Sequence, residues 1–171
     1  NNIEIISIND HSTDNTLNIL KKYKKKIKIF NNKKNLGVGY SRNKGILESK
    51  GKYIIFLDSD DILMEKKLIK IFKELNKFDN TDFLIGQHNI GNDGYIYNKK
   101  INYKSTNEKL KFINKLDKFY GYCWRFIISR SFLIKNGITF SNSRIFEDEE
   151  FIAKLFLNTQ KFHFSKIKFY F

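Results

Sequence analysis

The chain has 171 residues and a formal net charge of +14, with no proline, one cysteine and 17 phenylalanines. That length suits one domain with a real core. A single cysteine excludes an internal disulfide and fits a reducing, cytoplasmic compartment. No apolar run approaches the length of a membrane span. The lysines are spread over nearly every segment, so no nucleic-acid partner is expected despite the charge. Only "KKYKKKIK", Lys21 to Lys28, is a basic run, and it falls at a predicted helix end, where cations suit the dipole. The chain opens without Met in a strand-like run and closes in another, "IKFYF", so both ends read as cut.

In chain order, "IEIISI" (Ile3 to Ile8) reads as a buried strand. "NDHSTDNT" then offers turn and cap residues, with Ser12, Thr13 and Asp14 as N-cap types. Leu17, Leu20 and Tyr23 mark one face of a first helix, and "IKIF" (Ile27 to Phe30) a second strand. "NNKKNLGVG" leads into a helix at about Tyr40 to Ser49. "KYIIFL" is a third strand, "EKKLIKIFKELNKF" (Glu65 to Phe78) a strongly periodic helix, and "DFLIGQ" (Asp82 to Gln87) a fourth strand. Strands alternating with helices imply right-handed crossovers and a largely parallel sheet with helices on both faces. Past Gln87 the pattern becomes mixed. A hairpin turn is expected at "NDG" (Asn92 to Gly94), and helices at about Asn107 to Leu116 and Glu147 to Leu157. The fold class is therefore α/β, with a nucleotide-binding-like half over 1–87 and a mixed half over 88–171.

The chemistry concentrates at strand ends. "GKYIIFLDSDD" places Asp58, Asp60 and Asp61 beyond the third strand, where ligands sit in open α/β sheets. The two-residue spacing of Asp58 and Asp60 sends both to one side of an extended chain. Two such carboxylates suit a hard divalent cation, Mg²⁺ or Mn²⁺, with coordination positions left for phosphate oxygens. Helix capping is the competing role; it suits Asp61 and extends to Asp60, but not to Asp58. Asp10 ends the first strand in the same way and suits hydrogen bonds from a nucleobase or ribose. In "NLGVGYSRNKG", Gly37 and Gly39 precede a helix, but Arg42 stands where the dinucleotide fingerprint needs a third glycine. Arg42 is placed either to meet a diphosphate or to stay solvated. "IFEDEEF" opens the last helix with four acids. Glu149 and Glu150 suit the dipole, and Glu147 or Asp148 suits a general base. Trp124 and Tyr122 are candidates for stacking on a sugar or base, or for the core. His88 and His163 lack metal-ligand spacing.

Taken together, "INDHSTD", "NLGVGYSRNKGI", "FLDSDD", "CWRFIISRSFLIKNGITF" and "FEDEEF" resemble, in order and interval, the motifs of family 2 glycosyltransferases of GT-A fold. The resemblance implies transfer of a sugar from a nucleoside diphosphate donor, with a lean to uridine, to a hydroxyl of a glycan or lipid-linked glycan, with inversion. It implies that Asp10 binds the base, Asp58 the ribose and Asp60 the divalent metal. Arg42 would lie near the nucleotide, Asp148 would be the catalytic base, and Trp124 with Glu147 would line the acceptor side. His11 replaces the family's Gly; His tolerates a positive φ better than most residues. Arg125 follows Trp124 where the family carries Asn. The family's first strand and helix would precede Asn1, so poor activity is expected of this piece alone. The lysine-rich surface suits peripheral contact with an acidic inner membrane face. Two other readings compete. One is a haloacid-dehalogenase-type phosphatase, which needs Thr or Val where Ile62 stands. The other is a non-catalytic nucleotide-sugar-binding module.

Overall fold

The computed structural model describes residues 3–78, 80–88, 100–102, 122–143 and 145–170. The chain starts with β1 (Ile6–Asn9), α1 (Thr16–Lys22), β2 (Lys28–Asn31), α2 (Val38–Glu48), β3 (Tyr53–Ile55) and α3 (Glu65–Leu75). It continues through β4 (Phe83–His88), β5 (Lys100–Asn102), a 3-10 turn at Cys123–Arg125, β6 (Phe126–Ser129), α4 (Arg130–Lys135), α5 (Glu147–Asn158) and β7 (Lys161–Tyr170). The hairpin turn expected at 92–94 and the helix expected at 107–116 lie outside the described residues.

The α/β class read from the alternation holds, and the pairing refines it. β1 and β2 form a parallel pair in which Asn9 faces Asn31. A second sheet runs β3-β6-β4-β7-β5. Here β4 and β7 are parallel, whereas β6 is antiparallel to both β3 and β4 and β5 is antiparallel to β7. The mixed character expected of the second half thus enters the first, because β6 and β7 take both edges of β4.

Alternation along these strands divides the core. Phe83, Ile85, Phe126, Ile128 and Ile54 point to one face, where α2, α4 and α5 contribute Ile46, Phe132, Leu133, Phe151, Leu155 and Phe156. Leu84 and Ile127 point to the other, covered by Ile71 and Leu75 of α3. Phenylalanine fills the larger side. Phe83 stacks on Phe162 at 5.0 Å and meets Phe156 edge-on at 5.4 Å, while Phe140 stacks on Phe151 at 3.8 Å. Edge-on and offset contacts of this kind add to the area each ring buries.

Glu4, just ahead of β1, ties the small sheet to the large one. One carboxylate oxygen accepts from the Lys28 ammonium at 2.7 Å. The other accepts the Lys50 and Gly51 amides at 2.5 and 2.7 Å, in the turn before β3. The Lys28 bond, then the Lys50 amide, bring its pKa down to about 2. A depressed carboxylate stabilises the fold above its unfolded pKa and loses that contribution as pH falls through the folded one. Glu4→Gln is therefore expected to cost about 1 kcal/mol at pH 7, after screening at this half-open site. Paired urea denaturations should show the gap to wild type closing between about pH 4.5 and pH 2.

Candidate active site

β1 and β2 end side by side, and their terminal residues organise the first loop. Asn9, buried, donates to Asn31 at 2.6 Å and accepts from the Ser12 amide and hydroxyl. His11 takes φ 62°, so the left-handed position that suits Gly is occupied here by His. Asp10 accepts from Asn32 at 2.8 Å, from the Leu36 amide at 2.9 Å and from the Gly37 amide at 2.7 Å. Burial alone would raise its pKa, but these donors more than offset it and hold the carboxyl below the ordinary range. Asp10 thus anchors the "NLG" turn and also lines a cleft of about 560 Å³ with Asn35, Tyr40, Ser141 and Asn142.

The two glycines each have a steric reason. Gly37, the residue before α2, sits at φ 91° and ψ 163°, a region open essentially to glycine alone. Gly39 lies against the Ser141 carbonyl, which a Cβ would meet at 2.5 Å. One turn further along α2, Asn43 completes the docking, donating to the Phe140 carbonyl at 2.9 Å and accepting the Phe140 amide at 2.8 Å. The first turns of α2 are therefore clamped to the segment that leads into α5.

Arg42 is neither solvated nor directed at open space. Its side chain is 11% exposed and packs over the Phe140 ring. One guanidinium nitrogen donates to Asp58 at 2.9 Å. Another donates to Asp148 in a short contact and to Glu147 at 3.3 Å. The end of β3 and the start of α5, far apart in the chain, are thereby drawn onto one cation. Burial works against the charge on Arg42, but the neighbouring carboxylates outweigh it and its pKa is raised.

Asp148 occupies the first turn of α5 with Glu147, Glu149 and Glu150. Its second oxygen accepts the Cys123 amide at 3.1 Å. Burial pushes its pKa above the ordinary carboxylate value, and Arg42 and the Cys123 amide limit the rise. Phe146, which precedes these acids, is held at φ 64° and ψ 18°, a strained conformation for a bulky residue. Trp124 lies in a stack of three rings, 5.1 Å from Tyr122 and 4.4 Å from Tyr170.

Asp60 is exposed and stays outside the Arg42 group. Among the described residues, no set of three or more His, Cys, Asp or Glu is gathered to hold a metal ion. One or two carboxylates nevertheless fit Mg²⁺ or Mn²⁺ when phosphates and water complete the shell, and Asp60 is such a donor. The capping expected of Asp61 and Asp60 is not found: α3 begins at Glu65, after Met64, with no side-chain cap bond. The Tyr170 hydroxyl instead accepts the Asp58 amide at 3.0 Å, with the Asp61 carboxylate nearby. Tyr170 is the residue that reading along the sequence missed, since a tyrosine in a final apolar strand looks like core.

The profile of Glycosyl transferase family 2 matches residues 1–137. The chain belongs to that family. It is 35% identical over 163 residues to the poly(ribitol-phosphate) β-N-acetylglucosaminyltransferase TarP of Staphylococcus aureus, covering 93% of this chain and 49% of TarP. It is 34% identical over 190 residues to the cholesterol galactosyltransferase of Borreliella burgdorferi, covering 98% and 51%. The chain thus spans about half the length of these curated relatives. The crystal structure of S. aureus TarS 1–349 superposes with a TM-score of 0.79 at 22% identity, over 99% of this chain and 50% of that one. The fold is GT-A.

Removal of the shared cation is the direct test of this family site's geometry. Arg42→Gln leaves three carboxylates half-buried without their counter-charge and is expected to cost about 2 kcal/mol at pH 7. Without the cation, burial raises the Asp148 pKa further, so the variant should recover part of the loss between pH 7 and pH 5, as protons bind. Thermal melts of both proteins across that range check it.

Proposed function

We propose that this chain forms the donor-binding and catalytic part of an inverting glycosyltransferase. It would move a sugar from a nucleoside diphosphate donor, uridine-linked, to an acceptor hydroxyl of a glycan or lipid-linked glycan. The observation that carries the reading is the Arg42 bridge, which gathers Asp58 from β3 and Asp148 from α5. Family membership supports the reaction class. The choice of uridine is supported by TarS, solved in complex with UDP and with UDP-GlcNAc. The strand order supports treating 1–171 as one working unit, since β6 and β7 of the second half flank β4 of the first.

In this reading Asp10 and its loop receive the base and Asp58 the ribose, with Arg42 alongside. Asp60 would hold the divalent cation; a mannosyltransferase of the same fold, from Pyrobaculum calidifontis, was solved with GDP-Man and Mn²⁺. When bound, such an ion neutralises charge on the departing diphosphate. Asp148 takes the acceptor's proton as its oxygen attacks the anomeric carbon, and the glycosidic electron pair leaves on the diphosphate oxygen. Attack from the face opposite the leaving group inverts that carbon. Glu147 and Trp124 would flank the acceptor.

The electrostatics suit a base. Burial makes Asp148 a stronger proton acceptor than an ordinary carboxylate, and Arg42 opposes that rise. Asp148→Asn should lower UDP release from UDP-sugars in the presence of acceptor by about a hundredfold to ten-thousandfold, with UDP binding retained. Unchanged turnover would remove Asp148 from the role of base, and UDP-sugar binding without turnover in wild type would instead favour a binding module. In wild type, kcat/KM should rise with pH through a value above the usual carboxylate range, and Arg42→Gln should move that rise higher still.

The membrane contact is supported only by surface charge. Lys21 and Lys22 close α1, and Lys24, Lys25 and Lys26 follow in the exposed turn, beside exposed Ile19 and Tyr23. Among the described residues, no helix is long and apolar enough to cross a membrane. Flotation with anionic liposomes should recover the protein at low salt and lose it at high salt.

A further inference from the structure

The segment between β3 and α3 carries every acid of the "DSDD" motif, yet it has little regular structure of its own. The Asp61 amide reaches the Asp58 carbonyl at 3.2 Å, closing one turn. Beside the Arg42 bridge to Asp58, backbone support comes from the end of β7. Leu63 forms an antiparallel bridge with Tyr170, and the Met64 amide donates to the Phe169 carbonyl at 2.9 Å. The Tyr170 hydroxyl accepts the Asp58 amide at 3.0 Å, and the Asp61 carboxylate stands near enough to act on the phenol. The start of the acid turn is therefore fixed by that one oxygen atom.

That atom is itself held firmly. Tyr170 is 2% exposed, and its ring lies on Trp124 at 4.4 Å with an interplanar angle of 16°. Burial, with the nearby Asp61 carboxylate, raises the pKa of the phenol, so it keeps its proton through the physiological range. Trp124 continues to Tyr122, which is exposed. A line of contact thus runs from the surface at Tyr122, through two rings, to the backbone of Asp58.

We propose that Tyr170 is a positioning residue for the donor site: its hydroxyl sets the turn that presents Asp58 and Asp60, and its ring links that turn to the Tyr122–Trp124 side. The proposal rests on the donor-binding reading above, in which Asp58 and Asp60 meet the nucleotide and its cation.

Tyr170→Phe keeps the ring and its stacking while deleting the oxygen. Two readouts on this chain separate positioning from packing. Amide exchange of Asp58 should quicken by about tenfold in the variant, with Ile54 and Ile128 unchanged, because only the first loses its acceptor. Calorimetric titration with UDP and Mn²⁺ should show binding weakened by about five- to tenfold. Asp61→Asn, which removes the charge beside the hydroxyl and leaves Tyr170 in place, should weaken binding in the same direction and serves if Tyr170→Phe folds poorly. Unaltered Asp58 exchange overturns the proposal, as does faster exchange with unaltered UDP affinity, which would leave Tyr170 as packing alone. Absence of UDP binding by wild type would refute the donor-binding reading instead, and Asp58 exchange would then decide the structural claim by itself.

Discussion

A buried guanidinium must be surrounded by acceptors, and the fold is arranged to meet that demand at Arg42. Desolvating a cation is costly unless charge and hydrogen bonds replace water. Here three carboxylates from two distant parts of the chain do so. The same requirement explains features of α2 that look unrelated in sequence. Gly37 lets the helix begin where it does, Gly39 admits the Ser141 carbonyl, and Asn43 fastens Phe140. Each brings α2 closer to the segment that delivers Glu147 and Asp148.

The pairing of the large sheet gives that arrangement a rigid base. β3 ends at the acid motif, and β6, its antiparallel neighbour, follows directly on the turn whose Cys123 amide meets Asp148. One strand pair thus places the acids of β3 and the partner of Asp148 in a common frame. The phenylalanine cluster on the α5 side, with Phe140 and Phe151 in face contact, fixes the helix that carries Asp148. Local strain at Phe146 sits at the entry to that helix, where packing on either side can sustain it.

Much of this can be read from residue order, and the exceptions are instructive. The alternation of apolar runs with periodic helices locates β1 to β4 and α1 to α3 within a few residues, and strand ends draw attention to Asp10, Asp58 and Asp60. β6 escapes such reading because "FIIS" is short and passes straight into α4 without a turn residue to mark it. Nor can local reading find the partners of Arg42, which are up to 106 positions away. The capping role expected of Asp61 fails for a related reason: α3 starts only at Glu65, and the turn before it is held at the Asp58 amide by the Tyr170 hydroxyl, from a distant strand. Short-range rules see caps and turns; they do not see a hydroxyl supplied by the last strand of a sheet.

The position of β4 has a consequence for how the chain is made. Both of its neighbours, Phe126–Ser129 and Lys161–Tyr170, are synthesised after it. While translation proceeds, the apolar run Phe83-Leu84-Ile85 keeps two open hydrogen-bonding edges, the kind of surface that recruits other nascent chains. The ribosome must deliver the chain through Tyr170 before this strand is sealed, so a fully buried strand stays open long after it is made.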